Sequence, residues 1–307
     1  MIMKEYKTIN AEDVKNVFRE RPLKINKGDC GRLLCICGSY DGEGRGMCGA
    51  AYFAAAAAYR MGAGLVEIFT PCENYAPIAS RLPEAVYSLY KSDEDIACVT
   101  DRLEELIRSA DAVVLGCGLG KSELSRAIVK RTLEVITCPL VIDADALNII
   151  SEDMSLLDLL SSEQRRRTVI TPHPREMSRL CALSVDKILD DNVGTAFSFA
   201  TKYDVTCLLK GNKTVITDGE IVYINQSGNP GMASAGMGDV LAGIIGGVLA
   251  ERRLLGLDNV LYITALSAYL HGICGDLASE QYGEYSLISS DIIEQIPRTI
   301  SPNIMKK

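Results

Sequence analysis

The sequence is poor in the residues that build metal sites. Only two histidines occur among its 307 residues, and no two of the eleven cysteines form a C-x-x-C pair. This composition argues against a zinc-binding module, which usually draws its ligands from such pairs. The cysteine count is odd and most cysteines lie in apolar runs, so we predict buried, reduced thiols in a reducing compartment, the cytoplasm.

Positive charge is also scarce. Lys and Arg number 32 against 40 Asp and Glu, which gives a net charge of -8 and a pI near 5.0. Proteins bind nucleic acid through clustered cations, so we do not expect nucleic acid as a partner. A small anion is still a suitable ligand, because backbone N–H groups at a helix start can neutralise it locally.

Long hydrophobic runs are missing as well. Residues 1–20 are charged and lack the apolar core of a signal peptide. No window approaches the roughly 18–20 uninterrupted apolar residues of a membrane span. The nearest candidate, residues 240–250, is short and contains glycine. We therefore predict a soluble protein without a membrane partner.

What the sequence does contain is a regular alternation of short apolar runs and helical stretches. This alternation is typical of a doubly wound sheet with helices on both faces, so we predict the α/β class. The predicted strands are residues 32–37, 64–69, 112–115, 140–142, 168–170 and 206–209, with a β-hairpin over 213–217 and 221–225. The predicted helices are residues 49–61, 101–108, 122–135, 175–181, 193–202, 239–251 and 259–279.

The chain shows no repeat, low-complexity linker or internal boundary. The alanine-rich run 54–58 lies between Phe53 and Tyr59, so it indicates a tightly packed helix rather than a disordered tract. We predict one domain over residues 27–300, preceded by an extension of residues 1–26 to which no role is assigned.

The most informative segment is the glycine-rich stretch 225–239, which leads directly into an apolar helix. Its four glycines permit backbone conformations and a close approach that side chains would block. A helix start presents free N–H groups and the positive end of the helix dipole, which suits a transferring phosphoryl group. Asp239 lies in the first turn, where it can accept a proton from an attacking hydroxyl. The alternative is that Asp239 merely caps the helix.

This loop resembles the G-x-G-D anion hole of the ribokinase-like superfamily, and the whole chain is similar to the NAD(P)H-hydrate dehydratases within it. The likeness spans about residues 25–298. It is carried by eight segments in the expected order, 27–32, 49–51, 61–64, 116–120, 143–148, 171–176, 210–214 and 229–243. The resemblance implies a three-layer α/β/α fold with a mostly parallel central sheet. It also implies repair of hydrated nicotinamide cofactors, by phosphorylation of the ring hydroxyl and elimination of phosphate.

The same resemblance assigns the residues of the site. It makes Asp239 the catalytic base, with Gly236 and Gly238 in the anion hole that stabilises the phosphoryl group. The hydrate would lie against Ala50, Gly118, Gly120, His173 and Asp239. The adenine nucleotide would contact Lys210, Gly211, Asn212, Lys213, Thr214 and Gly238. No residue is assigned as a metal ligand, and Mg²⁺ is expected as a cofactor that screens the phosphates.

The glycine loop and the paired carboxylates can also be interpreted without the family. Residues 116–120 follow a buried strand, where their backbone can face a ligand or form a simple tight turn. Position 117 holds cysteine where the family often has proline. Asp143 and Asp145 follow another strand and can hold Mg²⁺ through water, orient a polar ligand or cap the next helix. In the resemblance they line the substrate pocket, and Asn148 closes its far side.

The two histidines and the basic turn differ in their surroundings. His173 is flanked by prolines after a strand, which presents its imidazole in a defined direction and favours a functional role. His271 lies on an apolar helix and is interpreted as a satisfied core or interface residue. Lys210 can meet a phosphate as a point charge, or belong to an exposed basic turn. Ala50, with Gly49, permits close contact with the nicotinamide, or helix packing alone.

Other functions stay open at this point. A ribokinase-like kinase of a vitamin precursor, of the hydroxyethylthiazole or hydroxymethylpyrimidine type, would use the Asp239 loop without needing His173. A nucleotide sensor has no use for the base, and a dehydrogenase would need an acidic residue about 20 positions after Gly120. The resemblance implies ADP, or ATP, as phosphoryl donor, with ADP favoured. It also implies a homotetramer, with the companion epimerase activity on a separate chain.

Overall fold

A computed structural model describes residues 6–301, in which ten strands form one sheet. The strand order is β1-β10-β9-β8-β7-β6-β5-β2-β3-β4, and all pairs are parallel except those that β9 makes with β8 and β10. The strands are β1 (Tyr6–Lys7), β2 (Arg32–Ile36), β3 (Leu65–Pro71), β4 (Val86–Tyr90), β5 (Ala112–Leu115), β6 (Leu140–Ile142), β7 (Thr168–Ile170), β8 (Thr206–Leu209), β9 (Thr214–Thr217) and β10 (Val222–Asn225).

Helices cover both faces of this sheet. They are α1 (Ala11–Val17), α2 (Cys48–Met61), α3 (Tyr75–Ala79), α4 (Ile96–Arg108), α5 (Glu123–Val135), α6 (Ala144–Glu152), α7 (Ser162–Arg166), α8 (Pro174–Cys181), α9 (Val185–Asp190), α10 (Asn192–Tyr203), α11 (Met237–Leu255), α12 (Val260–Tyr282) and α13 (Ser289–Ile300). The α/β class with a mostly parallel sheet is confirmed.

The sheet divides the core in two because strand side chains alternate between faces. On β2, Leu33 and Cys35 belong to the core on the α2 and α11 side. Leu34 and Ile36 belong to the core on the opposite side. Central strands of a parallel sheet are buried on both faces, which is why they are continuous apolar runs in the sequence.

The helices α2 and α11 pack in close contact. A Cβ on Gly243 would lie 2.2 Å from the carbonyl oxygen of Ala54, so only glycine fits there. The alanines of α2 supply the matching flat surface, and all five in the run 54–58 are buried. The prediction of a tightly packed alanine helix is confirmed. This contact fixes the start of α11 against the start of α2.

Elements near the N-terminus belong to the sheet and its core, a role that the sequence did not suggest. β1 pairs in parallel with β10. On α1, Val14 and Val17 are buried in the core. Arg21 then forms an ion pair with Glu251 near the end of α11. Residues 1–5, the rest of the predicted extension, lie outside the described residues.

One helix is more apolar than we expected. Within residues 6–301, α12 is long and apolar enough to cross a membrane by length and composition, whereas the sequence directed attention to residues 240–250. However, 61% of its most apolar window is buried inside the fold. A core helix meets the same criterion, and α12 packs against α11 and α13.

Candidate active site

The chemistry-bearing segments meet at one edge of the sheet, where the central parallel strands end. The loop 116–120 follows β5, Asp143 follows β6, His173 follows β7 and Lys210 follows β8. Ligands of open α/β sheets bind outside these carboxyl ends. The start of α11 lies against the same edge, because Gly238 is adjacent to the Lys210 and Asp143 side chains.

A glycine turn opens α11 and leaves its first N–H groups free. Gly236 has φ +87, and a Cβ there would lie 2.7 Å from the Phe53 ring. Among the described residues, no side chain caps this helix, so Asp239 does not act as its N-cap. Free N–H groups at a helix start form an anion site. The capping alternative for Asp239 is therefore wrong.

The surroundings of Asp239 raise the pKa of its carboxyl. Burial, the nearby Asp143 carboxylate and Asp145 raise its pKa to about 6. A hydrogen bond from the Cys117 thiol and the charge of Lys210 oppose this rise. A general base works best when its pKa is close to the operating pH. Asp239 is ionised at neutral pH and basic enough to accept a proton.

A partly buried ion pair lies beside it. The Lys210 Nζ donates to Asp143 Oδ1 at 2.8 Å, and Asp143 is only 2% exposed. Burial acts to lower the pKa of Lys210, but the carboxylates of Asp143 and Glu176 outweigh it and raise that pKa. No capping hydrogen bond from Asp143 is found in the described chain. Asp143 thus holds a cation beside Gly238 at the start of α11, and the helix-cap alternative is wrong for it.

Asp145 faces a different neighbour. Its Oδ2 accepts the Gly120 N–H at 2.8 Å, and Asn148 Nδ2 donates to its Oδ1 at 3.4 Å. Between the two aspartates, Ala144 has φ +52, a left-handed conformation that is rare outside glycine. This turn therefore directs the Asp143 carboxylate to Lys210 and the Asp145 carboxylate to the glycine loop.

His173 begins α8 as its N-cap. Its Nδ1 accepts the N–H groups of Arg175 at 3.1 Å and Glu176 at 3.2 Å, and Glu176 Oε2 accepts the His173 N–H at 2.9 Å. Burial and the Lys210 charge lower the pKa of the imidazole. The ring therefore caps α8, a structural role that the sequence analysis did not predict. His173 also lines the cavity described below.

Glu176 is a site residue to which the sequence gave no role. It is 5% exposed, and burial together with Asp143 raises its pKa to about 7, against the opposing charge of Lys210. Its position three residues after His173 is the spacing of a capping box, the signal that was available in the sequence.

Ala50 and the glycine loop form a second part of the site. Gly118 has φ +61, and a Cβ there would lie 2.7 Å from the Ala50 Cβ and 2.9 Å from the Met47 Cβ. A Cβ on Gly120 would lie 3.3 Å from Ser39. The structure thus brings together Ala50, Gly118 and Gly120, and adds Met47 and Ser39 from the loop between β2 and α2.

Comparison with known proteins gives the family. The sequence model of the NAD(P)H-hydrate dehydratase family, Carb_kinase, matches residues 33–298. The chain belongs to this family. It is 34% identical over 276 residues to the ADP-dependent (S)-NAD(P)H-hydrate dehydratase of Neisseria meningitidis, covering 87% of this chain and 84% of that protein.

Longer relatives and solved structures point to the same family. The chain is 34% identical over 292 residues to the bifunctional NAD(P)H-hydrate repair enzyme of Coxiella burnetii, covering 94% of this chain. It spans about half of the length of such relatives, 54% in this case. The Bacillus subtilis ADP/ATP-dependent NAD(P)H-hydrate dehydratase, co-crystallised with ATP/Mg2+, superposes with a TM-score of 0.78 at 26% identity, covering 97% of this chain and 98% of that one. Ribokinase-like proteins share the fold, as predicted.

Within this family member, a cavity of about 640 Å³ opens beside Gly238. Of the predicted nucleotide residues, it is lined by Lys210, Gly211, Asn212, Thr214 and Gly238. Lys213 is exposed and is not part of this lining within the described chain, and its carbonyl instead accepts from Asn192. The basic turn therefore faces the cavity through four of its five residues.

His271 also lines this cavity. Its Nε2 is buried and has no hydrogen-bond partner among residues 6–301. Burial lowers the pKa of the imidazole to about 4, a hydrogen bond to the Met237 backbone opposing it, so the ring is neutral. His271 is therefore satisfied only on the Met237 side, because its buried Nε2 costs free energy until a ligand or water pairs with it. The alternative of an interface residue stays a prediction.

Proposed function

We propose that this chain dehydrates the hydrate of NADH or NADPH at the expense of an adenine nucleotide. The observation that carries the proposal is the Asp239 carboxyl, with its pKa near 6, at the uncapped glycine start of α11. Family membership supports it, since relatives of this chain bear the names of hydrate dehydratases. In this proposal, the site repairs a damaged cofactor.

The first step is phosphoryl transfer. Asp239 takes the proton of the ring hydroxyl, and that oxygen attacks the terminal phosphorus of the nucleotide. The bond from phosphorus to the departing nucleotide oxygen breaks as the new bond forms. N–H groups from Gly236 to Asp239 stabilise the developing charge, and the Lys210 ammonium adds a fixed positive charge beside them. The phosphorylated oxygen is then a good leaving group.

The nucleotide would occupy the cavity beside Gly238. Its phosphates would lie beside Lys210, whose Nζ is close to Gly238 at the start of α11, and Gly211 and Thr214 line the same cavity. His271 faces the same cavity with an unpartnered Nε2, which a nucleotide could satisfy. The hydrate would then approach from the side of Ala50 and Gly118, so that its hydroxyl meets Asp239 between the two regions.

Mg²⁺ fits this site through the nucleotide. Among residues 6–301 there is no group of three or more His, Cys, Asp or Glu that could hold a metal by itself. Mg²⁺ is usually bound by one or two carboxylates together with substrate phosphates and water. The nucleotide phosphates and water would therefore supply its ligands, since Asp143 is paired with Lys210 and Glu176 accepts the His173 N–H. When bound, the ion would supply charge to the phosphates.

The donor and the assembly belong to the proposal as well. The Neisseria relative is named ADP-dependent and the Bacillus protein ADP/ATP-dependent, so we propose ADP as the donor. A cytoplasmic homotetramer, with the epimerase activity supplied by another chain, remains a prediction from the family. The rival kinase of a vitamin precursor would release a stable phosphate ester instead of inorganic phosphate.

One assay tests the proposal. Purified protein is incubated with hydrated NADH and either ADP or ATP, while absorbance of the restored dihydronicotinamide and free phosphate are followed together. We expect both products in equal amounts. Asp239→Asn should keep its fold and nucleotide affinity while turnover falls by about 10²–10⁴ or more. The exposed Asp101→Asn is the matched control. Near-normal turnover by Asp239→Asn would end the assignment of the base.

A further inference from the structure

Dehydration requires a second proton transfer, which phosphorylation alone does not explain. This inference rests on the proposed function. A hydrate of a dihydronicotinamide carries a hydroxyl on the carbon next to the ring nitrogen and an added hydrogen on the neighbouring carbon. When phosphate leaves, the nitrogen lone pair forms a C=N bond. The cofactor is restored only after the neighbouring C–H bond breaks, so this proton needs an acceptor.

Asp239 and Asp143 are unsuited to this step. After phosphoryl transfer, Asp239 carries the proton of the hydroxyl. Asp143 is 2% exposed, and its Oδ1 accepts a hydrogen bond from the Lys210 ammonium at 2.8 Å, so the Lys210 side chain occupies its accessible side.

His173 and Glu176 are unsuited for a geometric reason. The Nδ1 of His173 already accepts two backbone N–H groups, and its Nε2 lies 3.3 Å from Glu176 Oε1. Glu176 is 5% exposed and is engaged by the His173 N–H at 2.9 Å. The one acceptor nitrogen of His173 is therefore taken by the backbone of α8, and the two oxygens of Glu176 face the His173 ring and its backbone N–H.

Asp145 remains, and its geometry suits the task. Its Oδ2 accepts a hydrogen bond from the Gly120 N–H at 2.8 Å. Gly120 belongs to the glycine loop that is proposed to hold the hydrate. It is only half-buried, and within the described chain it forms no ion pair with Lys, Arg or His. Its hydrogen bonds with Gly120 and Asn148 leave acceptor positions free, since a carboxylate offers about four. Its charge is near enough to Asp239 to raise the pKa of that carboxyl.

We propose that Asp145 is the second catalytic base, which removes the proton from carbon after phosphate has left. The C–O bond breaks with its electron pair going to phosphate, and the ring nitrogen forms the C=N bond. Asp145 then takes the proton of the neighbouring carbon. The electrons of that C–H bond form the ring C=C bond, and the C=N pair returns to nitrogen. With ADP, the sum is hydrate plus ADP giving dihydronicotinamide, AMP, phosphate and one proton.

The decisive measurement is the ratio of restored cofactor to AMP. Wild type should give one NADH for each AMP. Asp145→Asn keeps an oxygen acceptor for Gly120, so phosphoryl transfer should continue at a rate within about fivefold of wild type. NADH formation should fall by about 10²–10⁴, the usual contribution of a general base. AMP would then exceed NADH, because the intermediate either accumulates as phosphate ester or takes up water and returns to hydrate.

Two further arms separate the outcomes. Hydrate deuterated at the reacting carbon should show a larger isotope effect on NADH formation in Asp145→Glu than in wild type. Asp158→Asn, an exposed aspartate in the turn after α6, should behave as wild type in every arm. Equal loss of AMP and NADH in Asp145→Asn, or an unchanged ratio near one, would overturn the assignment. If wild type itself restored no NADH, the proposed function would fail and the role of Asp145 with it, whereas a normal wild type with an unchanged ratio in Asp145→Asn would refute the role of Asp145 alone.

Discussion

Lys210 Nζ donates to Asp143 Oδ1 at 2.8 Å, which joins the ends of β8 and β6 across the intervening strand β7. The two residues are 67 positions apart in the chain. Their pair lies against Gly238, where the phosphoryl group is proposed to bind. A positive charge in a phosphoryl site is valuable only when it is held in place, and the buried carboxylate of Asp143 holds it.

Replacing Lys210 should therefore damage both stability and binding. Lys210→Met leaves the Asp143 carboxylate buried without a partner, which typically costs about 3–5 kcal/mol of unfolding free energy. We expect a lower urea midpoint and a weaker affinity for ADP by calorimetry. Adding Asp143→Asn should recover part of the stability but none of the affinity. The exposed Lys187→Met is the control. Full additivity of the two substitutions would contradict coupling between Lys210 and Asp143.

The pH dependence of turnover should report Asp239. Its pKa is near 6, so kcat/KM should rise through about pH 6 as the carboxyl becomes ionised and can act as a base. Asp143 raises this pKa and Lys210 lowers it. Asp143→Asn should then move the acidic limb to lower pH, and Lys210→Met should move it to higher pH. Shifts in the same direction would show that the limb belongs to another group.

Two glycines allow a matched test of the anion hole. Gly236 and Gly256 both have positive φ, at +87 and +68, so alanine strains the backbone at either position. At Gly256, no described heavy atom lies within 4 Å of an added Cβ, whereas at Gly236 the Phe53 ring lies at 2.7 Å. Gly256→Ala should lose about 1 kcal/mol of stability and keep its turnover.

Gly236→Ala should lose more stability than Gly256→Ala and also lose turnover. Its N–H groups must shift to relieve the contact with Phe53, and removal of one oxyanion donor typically costs about 10²–10³ in kcat. Urea unfolding and steady-state kinetics of the two variants supply the comparison. Equal kinetics would mean that the start of α11 does not touch the reacting group.

The Arg21–Glu251 pair should make stability depend on pH. Burial raises the pKa of Glu251 from 4.5 to about 7, although the Arg21 charge opposes the rise. A carboxyl whose pKa is higher in the folded state favours folding at low pH, and this contribution is lost as pH rises from about 4.5 to 7. Urea unfolding should thus show wild type losing stability over this window relative to Glu251→Gln. Parallel profiles would refute the raised pKa.

Strand prediction succeeded where burial is uniform. The runs at β5, β6, β7 and β8 were predicted with the correct bounds, because a central parallel strand is apolar on both faces. The edge strand β4 was missed, since three of its five residues are partly exposed and a fourth, Val86, is 43% exposed. β1 has only two residues and exists through its pairing with β10, which no local pattern can indicate.

Helix prediction failed where the local signals conflict. α6 was not predicted, because its first residue, Ala144, has a left-handed conformation and the surrounding aspartates look like a loop. The amphipathic helix α13 was also missed, with Pro297 in its interior. α4 begins at Ile96, directly after its N-cap Asp95, rather than at the predicted Asp101.

The sequence by itself determined the α/β class, the glycine start of α11 and the placement of Asp239 in its first turn. These are local properties, set by the period of apolar residues and by the conformations that only glycine adopts readily. Tertiary structure alone decided that Asp143 holds Lys210, that Asp145 accepts the Gly120 N–H and that His271 reaches the cavity beside Gly238. Each of these contacts joins segments that are far apart in the chain. The order of the strands in the sheet sets the distances between those segments, and no local sequence pattern specifies that order.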